Sequence, residues 1–237
     1  MRVIEELAAG KSSVKRVPIV YFSDLLCLWA HISELRVDAA MATYGEQVRF
    51  EYRFCSVFGD TARKIAGGWG DSGGYAGFNE HLRHAASDYP EVRVNPDIWL
   101  TARPASSTGP HLFAKAVQLD EGSGGCAPQT YQRTVRGLRK AFFEEAQDIA
   151  RWEVQCAVAR SCGVDIAHIE ALIDDGSAFA SLASDYQDAA AMGIQGSPSF
   201  VLNEGRQKLF GNVGFRILDA NIHELLRARQ TEQASWC

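Results

Sequence analysis

The sequence predicts an α/β fold in which a β-α-β unit and a β-β-α unit build one sheet around a large α-helical insertion. Three observations carry this. Two strand patterns flank a helical pattern before residue 60, six helical patterns then run to residue 192 with no strand among them, and a hairpin with an amphipathic helix follows.

The first strand is Pro18-Ile-Val-Tyr-Phe22, a short apolar, β-branched run closed by Ser23 and Asp24. From Leu28 to about Met41, Trp29, Ile32, Leu35, Val37 and Met41 fit a helix that ends at Tyr44-Gly45, with Gly a natural C′ residue. Val48, Phe50, Tyr52 and Phe54 alternate with polar neighbours, the period of a second strand. The two strands of such a unit run parallel, so Cys27 and Cys55 lie just past strand ends on one edge of the sheet.

Beyond them comes the glycine-rich stretch Gly67 to Gly74, then Pro90, Pro96, Pro104, Pro110 and Pro128. Helical patterns cover Tyr75 to Ala86, His111 to Gln118, Tyr131 to Ala146, Arg151 to Ser161, Ile166 to Ile173 and Ala178 to Met192. Ser199 to Asn203 and Gln207 to Phe210 then read as a hairpin turning at Glu204-Gly205, and Ile217, Leu218, Ile222, Leu225 and Leu226 as one face of a final helix. The predicted organisation is an N-terminal extension, 1–16, a discontinuous α/β domain, 17–59 and 193–230, and a helical insertion domain, 60–192.

With 237 residues the chain can bury a substantial core. A net charge of −5 gives no electrostatic reason to expect nucleic acid or an anionic membrane as partner. Charged residues from Arg2 to Arg16 leave no apolar stretch for a secretory leader, and nowhere do eighteen apolar residues run together. The expectation is a cytoplasmic protein whose six cysteines are mostly thiols.

Among these, Cys27 has the most reactive address. A helix N-terminus offers unpaired N–H groups and partial positive charge, which lower a thiol's pKa from about 8.5. His31, four residues on, either stabilises the thiolate as imidazolium or merely covers surface beside the site. Asp24 either raises the thiol's pKa or caps the helix. The bland alternative for Cys27 is a buried structural thiol. Cys55 is a second thiol in the same neighbourhood, or one that caps the sheet edge without meeting Cys27. Cys156 and Cys162 read as helix packing, Cys126 and Cys237 as exposed. No metal site is expected, since there is no C-x-x-C pair and His81 with His84 lack companions. The glycine-rich loop is no P-loop and reads as a lid or connector, with Trp69 and Tyr75 as walls of the site.

Cys27 opening a helix after the first strand, Trp29 two positions on, and Gly196-Ser-Pro-Ser-Phe-Val201 opening the third strand resemble the DsbA-like thioredoxin-fold family. The resemblance is strongest to the branch of FrnE-type oxidoreductases that borders the 2-hydroxychromene-2-carboxylate isomerases and kappa-class glutathione transferases. It implies a thioredoxin-like fold, with Cys27 as the nucleophile and Leu28-Trp29 as the dipeptide between two cysteines. Pro198 matches the family's cis-proline, and Ser197 before it presents backbone to a bound peptide or glutathione. Ala30 departs from the pattern, standing where the resolving cysteine would be, and Phe210-Gly211-Asn212-Val213 lacks the acid that holds glutathione in the isomerases and transferases.

The resemblance therefore implies a monothiol oxidoreductase or disulfide isomerase. Cys27 and His31 would be its catalytic residues and Trp29, Ser197, Pro198 and Asn212 its substrate-binding residues, with no tightly bound cofactor and glutathione as co-substrate. The substrate would be a disulfide-bearing protein or a small thiol or aromatic molecule; a homodimer is left open. Two alternatives stand beside it, a glutathione-dependent isomerase or transferase acting on a small aromatic substrate and a non-catalytic peptide-binding protein.

Overall fold

The computed structural model describes residues 16–227. The N-terminal extension up to Lys15, the end of the predicted 193–230 segment, and Cys237 lie outside them.

Strands β1 (Val17–Ser23), β2 (Val48–Phe54), β3 (Ser199–Leu202) and β4 (Gln207–Phe210) form one mixed sheet in the order β2-β1-β3-β4. β1 runs parallel to β2, with Ser23 opposite Phe54, and antiparallel to β3, which pairs antiparallel with β4. Helix α1 (Leu28–Tyr44) crosses from β1 to β2 and stops at Gly45, whose φ of 51° is a conformation open to glycine. Between β2 and β3 lie α2 (Gly74–Ser87), α3 (Thr108–Ser123), α4 (Thr130–Phe143), α5 (Trp152–Ser161), α6 (Ile166–Asp174) and α7 (Ser177–Ala191), and α8 (Phe215–Leu226) closes the described chain.

The alternation of β1 sorts the two faces of the sheet. Val17, Ile19 and Tyr21 pack with Val37 and Ala40 of α1 and Leu218 and Ile222 of α8. Phe22, on the opposite side, packs with Val201 and with Ala189 of α7. The largest core belongs to the insertion, yet Leu25 to Leu28, Ala30 and Ile32 are part of it. The turn after β1 and the start of α1 are thus built into the core of the inserted helices.

Three stretches differ from the limits the sequence predicts. α3 starts three residues before His111, because Pro110 sits in the first turn, where a missing N–H costs nothing. It also continues past Gln118 and Gly122 to end at Gly124 with φ 83°. α4 ends at Phe143, three residues short of the predicted Ala146, which has φ 50°. The glycine-rich stretch is not plain loop: a π-helical stretch covers Ala62–Gly67 and a tight turn Gly70–Ser72. No helix among the described residues is long and apolar enough to cross a membrane.

Two buried ion pairs dock the insertion. Arg139 of α4, 2% exposed, donates to Glu34 of α1 at 2.6 Å and to Ser23 Oγ of β1 at 2.9 Å. Lys115 of α3 lies 3.0 Å from Asp185 of α7, which also accepts the Phe54 amide of edge strand β2 at 2.9 Å. Removing one partner strands the other charge, so Lys115→Met is expected to cost about 3–5 kcal/mol. Urea unfolding checks this; an unchanged midpoint contradicts it.

Candidate functional site

Cys27 is the residue that caps α1. Its backbone is extended (φ −89°, ψ 117°), and its carbonyl accepts the amides of Ala30 and His31, each at 3.1 Å. The residue is 5% exposed, and its thiol donates to the Ser197 carbonyl at 3.1 Å. Ser197–Pro198 is a cis peptide bond, and Ser197 Oγ accepts the Asp24 amide at 2.8 Å. The residues before Cys27 and before Pro198 are thereby tied together across 173 positions.

Trp29 and Asn212 meet through a residue the sequence reading did not single out. Tyr89, after α2, packs edge-on against Trp29 with ring centres 6.2 Å apart, and its hydroxyl accepts Asn212 Nδ2 at 2.8 Å. The Arg36 guanidinium lies 5.4 Å from the Tyr89 ring centre. Nothing in the sequence marked Tyr89, which lies in an irregular stretch just before Pro90.

The expected low thiol pKa is corrected. Burial pushes the Cys27 thiol up; Ser197 and the first-turn amides pull it partly back, and the Asp24 charge adds to the rise. The helix-end effect presumes a thiolate that keeps some hydration, and at this depth desolvation outweighs it.

His31 is corrected too. Its ring stacks on Phe143 at 4.9 Å with Nδ1 3.8 Å from Glu34 Oε2. Burial pushes its pKa down against the pull of Glu34, which leaves it neutral near pH 7. A neutral ring supplies no charge to a Cys27 thiolate, so the imidazolium role expected of His31 fails.

Cys55 is buried, and its thiol donates to the Gly196 carbonyl at 3.8 Å. The two thiols contact successive carbonyls of one segment but pack in different clusters, Cys27 with the insertion and Cys55 with Phe22, Ala189 and Val201. Both are free, as are Cys126, Cys156 and Cys162. Trp69 and Tyr75, expected as walls of the site, pack inside the insertion: Trp69 on Phe78 and His81, Tyr75 on Trp99. No group of three His, Cys, Asp or Glu among the described residues is placed to hold a metal ion.

Of the two roles expected of Asp24, it takes the first, adding to the rise of the Cys27 thiol, and does not cap α1. Fully buried, its Oδ1 accepts Leu26 N at 2.9 Å, a local turn rather than a cap of α1. Its Oδ2 accepts Val57 N at 2.9 Å and, at 2.8 Å each, Phe58 N and Ser107 Oγ. His111 Nε2 lies 3.6 Å from Oδ1 and 3.1 Å from Leu25 N, and its Nδ1 lies 2.9 Å from the Tyr186 hydroxyl. Burial alone would raise the Asp24 carboxyl, but the His111 ring and the Phe58 and Leu26 amides hold it below the usual carboxylate range.

A family model described as a DSBA-like thioredoxin domain matches residues 18–223. A curated relative, the ClpXP adapter protein SpxH of Halalkalibacterium halodurans, is 25% identical over 162 residues, 65% of this chain. The chain spans about half, 51%, of that relative's length. Among solved structures, a candidate protein disulfide isomerase from Nitrosomonas europaea aligns with TM-score 0.69 at 13% identity, over 89% of this chain and 99% of that one. The cytosolic disulfide reductase DsbM from Pseudomonas aeruginosa aligns with TM-score 0.62 at 18% identity, over 87% and 98%. These likenesses establish the DsbA-like thioredoxin fold, a mixed sheet with a helical insertion.

Asp24→Asn places an N–H group against donors, and is expected to cost about 3–5 kcal/mol. Because the folded-state pKa is depressed, the stabilisation from Asp24 is full above its unfolded value of about 3.9 and is lost as pH falls through the lower folded value. Unfolding of wild type and variant from pH 7 to pH 2 checks both; equal stability at pH 7, or an unchanged acid slope, contradicts them.

Proposed function

This chain belongs to the DSBA-like thioredoxin domain family, and on that footing we propose that it is a thiol-disulfide exchange protein working through Cys27 alone. The observation that carries the reading is the Cys27 thiol at the start of α1, 3.1 Å from the Ser197 carbonyl, with Ala30 where a second cysteine would resolve it. In the reaction, Cys27 loses its proton and attacks a disulfide sulfur. The Cys27–S bond forms as the substrate S–S bond breaks, and the departing thiolate takes up a proton. An external thiol such as glutathione then attacks the mixed disulfide and restores Cys27. Ser197 and Pro198 orient the sulfur-bearing substrate, with Trp29 and Asn212 beside it.

The raised thiol pKa sets the direction of this chemistry. A dithiol protein with a strongly stabilised thiolate is an oxidant, because its reduced form is favoured. Cys27 has the opposite bias, since burial disfavours its thiolate. Its mixed disulfide is held firmly and its thiol serves as a reductant, at the expense of rate. Each unit by which pKa exceeds pH removes about tenfold of the thiolate, and higher nucleophilicity returns only about threefold.

Burial of Cys27 also favours a second reading, a protein that uses the Ser197–Pro198 segment to bind polypeptide without redox turnover. The name of the curated relative, an adapter protein, is in keeping with it.

Incubation with oxidised glutathione followed by peptide mass spectrometry separates the two. The exchange reading expects one glutathionyl group on Cys27 in the wild type and none at that position in Cys27→Ser, and an unmodified Cys27 overturns it. Alkylation by iodoacetamide is expected to speed up about tenfold per pH unit from pH 7 to beyond the ordinary thiol value of about 8.5. A plateau below pH 7 contradicts the raised pKa.

A further inference from the structure

Arg36 has no role in the chemistry above, yet it packs on Tyr89, the residue that joins Trp29 to Asn212. It lies seven residues after Trp29 on α1, two turns along and on the same face, about 10 Å further down the axis. Long helical side chains lean back toward the N-terminus, and Arg36 does so onto the ring of Tyr89, the residue that touches Trp29 and binds Asn212. Arg139 and Arg136 of α4 pair with Glu34 and Asp38 on other faces of α1. Arg36 makes no salt bridge among the described residues, and its recorded contact is the Tyr89 ring. A guanidinium stacked on an aromatic face keeps its N–H edge free for a planar oxyanion.

We propose that Arg36, held by Tyr89, is the specificity residue of the Cys27 site and selects disulfides that carry a carboxylate within a tripeptide's length of the sulfur. The inference rests on the exchange reading of Cys27 and adds the class of substrate. Arg36 lies nine residues after Cys27, about 13 Å along the axis, and the backward lean of its side chain shortens that to a span that an extended tripeptide of about 10 Å can bridge. Asn212 meets the hydroxyl of the same tyrosine, with its Nδ2 committed there and its buried Oδ1 without a partner. That leaves an acceptor for a substrate N–H beside the donor for its carboxylate. Chemically, Cys27–SH and the substrate R–S–S–R give Cys27–S–S–R and R–SH, with no further oxidant or reductant.

The test compares three disulfides of different charge: oxidised glutathione (anionic), bis(2-hydroxyethyl) disulfide (neutral) and cystamine (cationic). The rate of adduct formation on Cys27 is measured by mass spectrometry and divided by the rate of the same disulfide with free 2-mercaptoethanol. Wild type is expected to rank them anionic, neutral, cationic. Arg36→Gln is expected to lose about tenfold on oxidised glutathione alone, Arg36→Lys keeping part of the preference. In wild type, raising salt to 0.5 M should slow oxidised glutathione, leave the neutral probe unchanged and not slow cystamine, a readout that needs no variant. A flat ranking in wild type, or an Arg36→Gln ranking equal to wild type, overturns the inference while Cys27 still reacts. No adduct with any probe overturns the exchange reading and the inference with it.

Discussion

The carboxylate of Asp24 is the constraint on which the site depends. It is fully buried, and its partners come from three parts of the chain: Leu26 in its own turn, Val57 and Phe58 after β2, and Ser107 at the start of α3, with His111 one turn further. Its own amide holds Ser197 Oγ. A buried charge persists only when its donors are nearly all supplied by the fold. Four segments are therefore locked at once, and Cys27 is set three residues beyond the lock against the Ser197 carbonyl.

The same arrangement explains the tension in the site. To bring the insertion against the start of α1, the fold places Leu25, Leu26, Cys27 and Leu28 in the insertion's core. Cys27 so gains a fixed position facing Ser197–Pro198, but it loses hydration and gains an anionic neighbour, and both push its thiol up. Position and reactivity pull in opposite directions. In the proposed exchange, a single thiol poised this way would react slowly and end in a firmly held mixed disulfide that an external thiol resolves.

Much of this was legible in the sequence. Strand periodicity and helix stops placed β1, α1, β2, β3 and β4 within a few residues, because in these segments local pattern and global fold agree. What failed was whatever depended on residues far apart in the chain. The depth of Cys27 comes from helices more than 40 residues away. The role of Asp24 needs partners at 57, 58, 107 and 111, and Ser107 and His111 carry no local signal. The neutrality of His31 comes from burial, with its ring stacked on Phe143, more than a hundred residues on. Tyr89 and Arg36 escaped notice because a tyrosine among prolines and an arginine on a helix are both commonplace in isolation.

The claim at the centre of the account is that Cys27 works alone, and the kinetic order of its release tests it most directly. Wild-type protein carrying a glutathionyl group on Cys27 is mixed with increasing reduced glutathione, and free Cys27 is followed with time. The account predicts a rate proportional to the thiol concentration, extrapolating to zero without it. A rate independent of added thiol, with a Cys27–Cys55 disulfide as product, would contradict it.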